Sequence, residues 1–232
     1  MIKESKRLIH IIVLVMVLLF PVSVAAAKYV VVIDPGHGGD DTGVKLSKNV
    51  YEKDITLAVA KRIQKNLSAD DNIEARLTRS RDTDVSPAQR RNFSEKSNAN
   101  LFISLQVNAG FGVDAKGYEV YYPAASVPSA HKNNSGEILK DMEQTTRLNN
   151  CVLFGRIVQK NMGRVFLRQG RGLISAPLMV LQSVSAPAVL LEMNFATNLE
   201  SRKQLKDEDT QKAIANAVTR SIKKYFSTDG TR

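Results

Sequence analysis

The stretch from Tyr29 to Leu77 changes its hydrophobic period twice, and this constrains the fold more than any other feature of the chain. Tyr29 to Ile33 is a run of β-branched and aromatic residues that stops at the turn signal Asp34-Pro35-Gly36, as a buried strand does. From Lys53 the apolar residues Ile55, Val59, Ile63 and Leu67 recur every four positions on one helix face, and Asp70-Asp71-Asn72 supplies the stop. Ile73, Ala75 and Leu77 then alternate with Glu74, Arg76 and Thr78, the period of a half-buried strand. The order is strand, helix, strand.

The alternation continues downstream. Ser86-Pro87 reads as a helix start, with serine as the cap and proline at the first helical position. Strands are expected at Leu101 to Val107 and at Gly117 to Tyr122, followed by a polar stretch from Ala124 to Gly136. Glu137 to Phe166 has helical spacing, with a break expected at Asn149-Asn150. Leu178 to Leu181 and Ala188 to Leu191 read as short strands, and Asp209 to Phe226 as an amphipathic closing helix. This pattern predicts an α/β fold: a single domain with a mostly parallel twisted sheet flanked by helices on both faces. Ligands of such folds sit beyond the carboxyl ends of the strands.

The first 27 residues stand apart. Lys3, Lys6 and Arg7 lead an apolar run from Ile11 to Phe20, and Ala25-Ala26-Ala27 offers small residues for cleavage, so residues 1–27 read as a secretory signal peptide and 28–232 as the folded domain. Retention of that run as a membrane anchor is the competing reading; both place the domain outside the cytoplasm, exported to the periplasm or cell wall. Cys151 is the single cysteine, so internal disulfides and thiolate metal clusters are excluded. The formal net charge of +10 favours polyanionic surfaces. Aromatic residues make up only 6% of the chain and no stacking motif accompanies the basic ones, which argues against a nucleic-acid partner.

Polar groups stand at three of the expected strand and helix ends. His37 lies in Gly36-His37-Gly38-Gly39-Asp40-Asp41, directly after the first strand, where glycines let the backbone turn tightly; a plain turn with a surface histidine is the bland alternative. The spacing is not that of a phosphate-binding loop. Glu52 opens the following helix, where the helix dipole alone would favour a carboxylate. Glu192 ends the apolar run Val189-Leu190-Leu191, and a carboxylate buried there needs either a partner or a function.

The segments VVIDPGHGGDDTG, YEKDITLAVAKRI, RLTRSRDTDVSPAQRR, LFISLQVNA, GYEVYYP, DMEQTTRLNN, RGLISAPLMVL and PAVLLEMNFATN, in this order, resemble the zinc-dependent N-acetylmuramoyl-L-alanine amidase family along nearly the whole of 28–232. The resemblance implies one zinc ion, held by a histidine matching His37, a glutamate matching Glu52 and a second histidine at the position of Gln106, with Glu192 as the general base. It also implies a substrate, the amide bond between N-acetylmuramic acid and L-alanine in peptidoglycan. Gln106 departs from the family, which carries Ser-x-His-x-Asn-Ala where this chain reads Ser104-Leu105-Gln106-Val107-Asn108-Ala109. A neutral amide is a poorer zinc donor than imidazole, so weakened zinc binding is expected.

Two readings follow: a cell-wall hydrolase with a weakened zinc site, or a degenerate, non-catalytic amidase that binds peptidoglycan or a cell-division partner. His131, in a polar loop, is expected to be a solvated residue rather than a substitute ligand. Some relatives carry a helix after the matching Tyr-Tyr strand that plugs the zinc cleft; Ala124 to Gly136 is too short and too irregular for one. An activator protein is the further partner considered, and the chain is expected to be a monomer.

Overall fold

The computed structural model describes residues 28–110, 112–125, 135–182 and 184–229. The signal-peptide reading of 1–27, His131 and most of the polar stretch read as too short for a plug lie outside the described residues.

The sheet comprises β1 (Tyr29–Pro35), β4 (Ile73–Leu77), β5 (Leu101–Asn108), β6 (Tyr118–Pro123), β7 (Gly170–Ala176) and β8 (Ala188–Phe195); β2 (Lys45–Ser47) and β3 (Val50–Tyr51) form a separate small hairpin. The six strands are ordered β4-β1-β5-β8-β6-β7. The first four run parallel, β6 pairs antiparallel with β8, and β7 runs parallel to β6. The first four strands therefore end, and β6 and β7 begin, along one edge of the sheet.

Helices cover both faces. α1 (Glu52–Leu67), α3 (Ser135–Met162) and α6 (Glu208–Asp229) enclose the larger core with Val31, Ile33, Ile103, Val189 and Leu191. α2 (Pro87–Lys96) and α4 (Met179–Gln182) cover the opposite face, where Val32, Phe102, Ala188 and Leu190 meet Phe93, Val180 and Leu181. The strict alternation along β1, β5 and β8 follows from the two-residue strand period. It also fixes direction: Asp34, Ser104, Gln106 and Glu192 share parity with the smaller, less covered face. α5 (Leu199–Lys206) packs against β8 and α6.

Ser86 and Pro87 begin α2 as the sequence suggests, Ser86 Oγ accepting from Gln89 N at 3.3 Å and Gln89 Oε1 accepting from Ser86 N at 2.7 Å. Two expectations fail. No break occurs at Asn149-Asn150, because α3 runs on as one helix whose inner face, Cys151, Phe154, Gly155 and Val158, keeps helical spacing across that point. Leu178 to Leu181 is no strand: Met179–Gln182 forms a helical turn, since short apolar runs do not distinguish the two by period. Strand β7, helix α5 and the small hairpin are additional to the elements expected from the sequence. Among the described residues no helix is long and apolar enough to cross a membrane.

Candidate active site

The loop after β1 is held open by buried cations. Arg79 and Arg90 are only 3% and 7% exposed. Arg79 donates to the carbonyls of Pro35 (3.1 Å) and Gly36 (2.8 Å), and Arg90 to those of Pro35 (2.8 Å) and His37 (2.9 Å). Arg90 also pairs with the fully buried Asp34, which accepts from Thr78 Oγ1 at 2.6 Å and Ser104 Oγ at 2.9 Å. Consecutive carbonyls of a tight loop thus find partners that water would otherwise supply. His37 takes a left-handed backbone, φ 60°, which the pinned carbonyls sustain.

That conformation brings His37 Nε2 to 3.2 Å from Glu52 Oε1. Glu52, 2% exposed at the start of α1, accepts from Val107 N at 2.7 Å through Oε1 and from Val44 N at 3.0 Å through Oε2. On the other side of the ring Nδ1 lies 2.8 Å from Asp41 Oδ2. A carboxylate at Nδ1 favours the tautomer with its proton there, leaving Nε2 as the donor atom toward a metal. The Glu52 carboxylate raises the imidazole pKa to about 9, against burial and with help from Asp41. Gly43 seals the pair from outside: its φ is +63°, and a Cβ there would meet Glu52 Oε2 and His37 Cδ2, each at 2.7 Å. Gly43→Ala should therefore cost about 1–2 kcal/mol of stability; an unchanged urea midpoint would show that the loop yields freely.

Glu192 stands on β8 directly opposite Gln106 of β5 on one side and Glu119 of β6 on the other. Its Oε2 is buried with no hydrogen-bond partner among the described residues. Burial raises the carboxyl to about 8, the charges of Glu52 and Glu119 adding and His37 opposing. Gln106 turns its amide over Gly36, where a Cβ would meet it at 2.4–2.5 Å, and Nε2 lies 3.4 Å from Ser104 Oγ.

The donor chemistry decides how a zinc ion fits. Two tetrahedral ligands at about 2.0–2.1 Å from one zinc lie roughly 3.3 Å apart, and His37 Nε2 and Glu52 Oε1 stand at 3.2 Å. Among the described residues no group of three or more His, Cys, Asp or Glu side chains is placed to hold a metal. The third ligand that the resemblance implies would have to come from the Gln106 side chain, whose amide oxygen is a weaker donor than imidazole. His37 and Glu52 are spaced to share one ion.

The structure brings His37 and Glu52 together and sets Gln106 beside Glu192. Asp41, Arg79, Arg90 and Glu119 were not singled out from the sequence; basic residues inside RLTRSRDTDVSPAQRR, followed by an apolar strand, were the available signal for the two arginines.

Residues 31–224 match the family described as N-acetylmuramoyl-L-alanine amidase. N-acetylmuramoyl-L-alanine amidase AmiA of Escherichia coli strain K12 is 31% identical over 225 residues, covering 87% of this chain and 78% of that protein. The catalytic domain of CwlV, an N-acetylmuramoyl-L-alanine amidase from Bacillus (Paenibacillus) polymyxa, superimposes with a TM-score of 0.72 at 29% identity, covering 86% of this chain and 99% of that one. An N-acetylmuramoyl-L-alanine amidase from Clostridium difficile 630 gives the same TM-score at 28% identity, covering 87% and 98%. With its mostly parallel sheet and helices on both faces, the chain belongs to the N-acetylmuramoyl-L-alanine amidase family, hydrolases of cell-wall peptidoglycan.

Proposed function

We propose that this chain cleaves the bond between the muramic-acid lactyl group and L-alanine through Glu192, beside a zinc site made by His37, Glu52 and Gln106, and that it does so outside the cytoplasm. The observation that carries this is the partnerless buried Oε2 of Glu192, next in the sheet to Gln106 and within electrostatic reach of His37 and Glu52. A structural carboxylate would be expected to have a partner there. Zinc, when bound, would polarise the scissile carbonyl and acidify a water. Glu192 would take the proton of the attacking water and return it to the departing L-alanine amine, as its raised affinity for protons suits. Asp41 would keep the His37 ring oriented, and the two backbone amides on Glu52 would hold that carboxylate in place.

A non-catalytic binder is the second reading, favoured by the lean of the Gln106 amide toward Ser104 Oγ. Peptidoglycan is the substrate in the first reading, and peptidoglycan or a cell-division partner is the ligand in the second.

Incubating the zinc-supplemented protein with purified peptidoglycan, then labelling new amino termini, separates the two. L-Alanine termini should appear, and Glu192→Gln should lower their rate about 10²–10⁴-fold. Absence of new L-alanine termini overturns the hydrolytic reading, and an undiminished rate in the Glu192→Gln protein overturns the assignment of Glu192 as the base.

A further inference from the structure

A polar row crosses the sheet edge beyond Glu192. Gln106 on β5, Glu192 on β8 and Glu119 on β6 are paired in register, and the row is completed by Arg171 on the edge strand β7. Arg171 reaches it because the β6–β7 register shifts: Tyr118 pairs with Gly170 and Val120 with Leu173, so Arg171 and Gly172 together stand opposite Glu119. Such an insertion re-aims a side chain. Gly172, with φ +116° and open space where a Cβ would lie, supplies the backbone for it.

Arg171 is fixed without being consumed. Its Nε donates to Glu119 Oε1 at 2.9 Å, and its guanidinium lies over the Phe195 ring at 5.1 Å. Its side chain remains 50% exposed, and no described residue accepts from its Nη donors. Glu119, by contrast, is 9% exposed in its side chain and fully engaged, its Oε2 accepting from Asn108 Nδ2 and Tyr121 Oη at 2.8 Å each. A buried carboxylate therefore anchors one edge of a planar cation, leaving the other to solvent, and such a fork suits a carboxylate.

We propose that Arg171 is a specificity-determining residue that binds the free α-carboxylate of the second stem residue, the γ-linked D-glutamate. This rests on the amidase reading above. Two strand spacings put Arg171 about 10 Å from Glu192 along the row. Two extended stem residues carry the chain roughly 7 Å beyond the scissile amide, and a charge-assisted hydrogen bond spans about 2.8 Å more. The carboxylate of the second residue falls at that reach, where an α-carboxamide would offer no charge.

The test is equilibrium binding by calorimetry with the full chain in EDTA, so that turnover does not intervene. The probes are N-acetylmuramoyl-L-alanyl-D-glutamate and N-acetylmuramoyl-L-alanyl-D-isoglutamine, each capped at the γ-carboxyl as a methylamide, so that they differ only in α-carboxylate against α-carboxamide. The acid should bind about 10-fold tighter or more. Arg171→Gln should bring the two probes level, and Arg171→Lys should keep part of the difference. Equal binding of acid and amide by the parent protein, or a preference that survives Arg171→Gln, overturns the assignment while leaving the amidase reading standing. Binding of neither probe overturns the assignment to Arg171, whereas the amidase reading is judged by the appearance of new L-alanine termini.

Discussion

Gln106→His is expected to tighten zinc binding by about 10–100-fold or more, and to raise peptidoglycan cleavage with it. Changes outside a ligand set already alter metal affinity or activity by about that range, so exchange at the proposed ligand position should do no less. The remaining parts of the site are in place: His37 Nε2 and Glu52 Oε1 stand 3.2 Å apart, Asp41 holds the far side of the ring, and Glu192 lies across from position 106. Zinc competition against a chromogenic chelator, together with dye release from labelled peptidoglycan, measures both effects in one preparation. If the parent protein already holds stoichiometric zinc as tightly as the histidine form, the weak-donor account of Gln106 is wrong.

How far the site could be read from sequence depended on distance along the chain. His37 and Glu52 stand out because each sits at the boundary of a strongly periodic element, and Gln106 because its neighbours match a motif that it breaks. Arg171 and Glu119 were silent because their meaning depends on a register shift between two strands separated by a long helix. β7 itself gave no signal: it is an edge strand with two glycines, Gly170 and Gly172, and much of its length is exposed, so neither alternation nor an apolar run marks it. The fold class was legible because β1, β5 and β8 are buried on both faces and read as continuous apolar runs. The continuity of α3 was not, because asparagine is a common helix terminator in sequence and only packing of Cys151 and Phe154 shows that it does not act as one here.

The second large effect concerns stability, and it runs opposite to catalysis. Glu192→Gln should make the metal-free protein more stable at pH 8 by several kcal/mol, about 3–5, while changing little near pH 4.5. The sign follows from where the proton is held. An unfolded chain releases the Glu192 proton near the ordinary value of 4.5, whereas burial, Glu52 and Glu119 keep it on the folded protein up to about 8, against the opposing charge of His37. Between those limits the folded state binds more protons, so stability falls as pH rises through the window and levels off above it. A glutamine carries no charge to desolvate and is exempt from that loss. Urea unfolding of both proteins in EDTA at pH 5 and pH 8 measures the difference directly. Parallel pH profiles for the two would mean that Glu192 ionises freely in the fold, and the case for a carboxyl held ready to exchange a proton with substrate would fall with it.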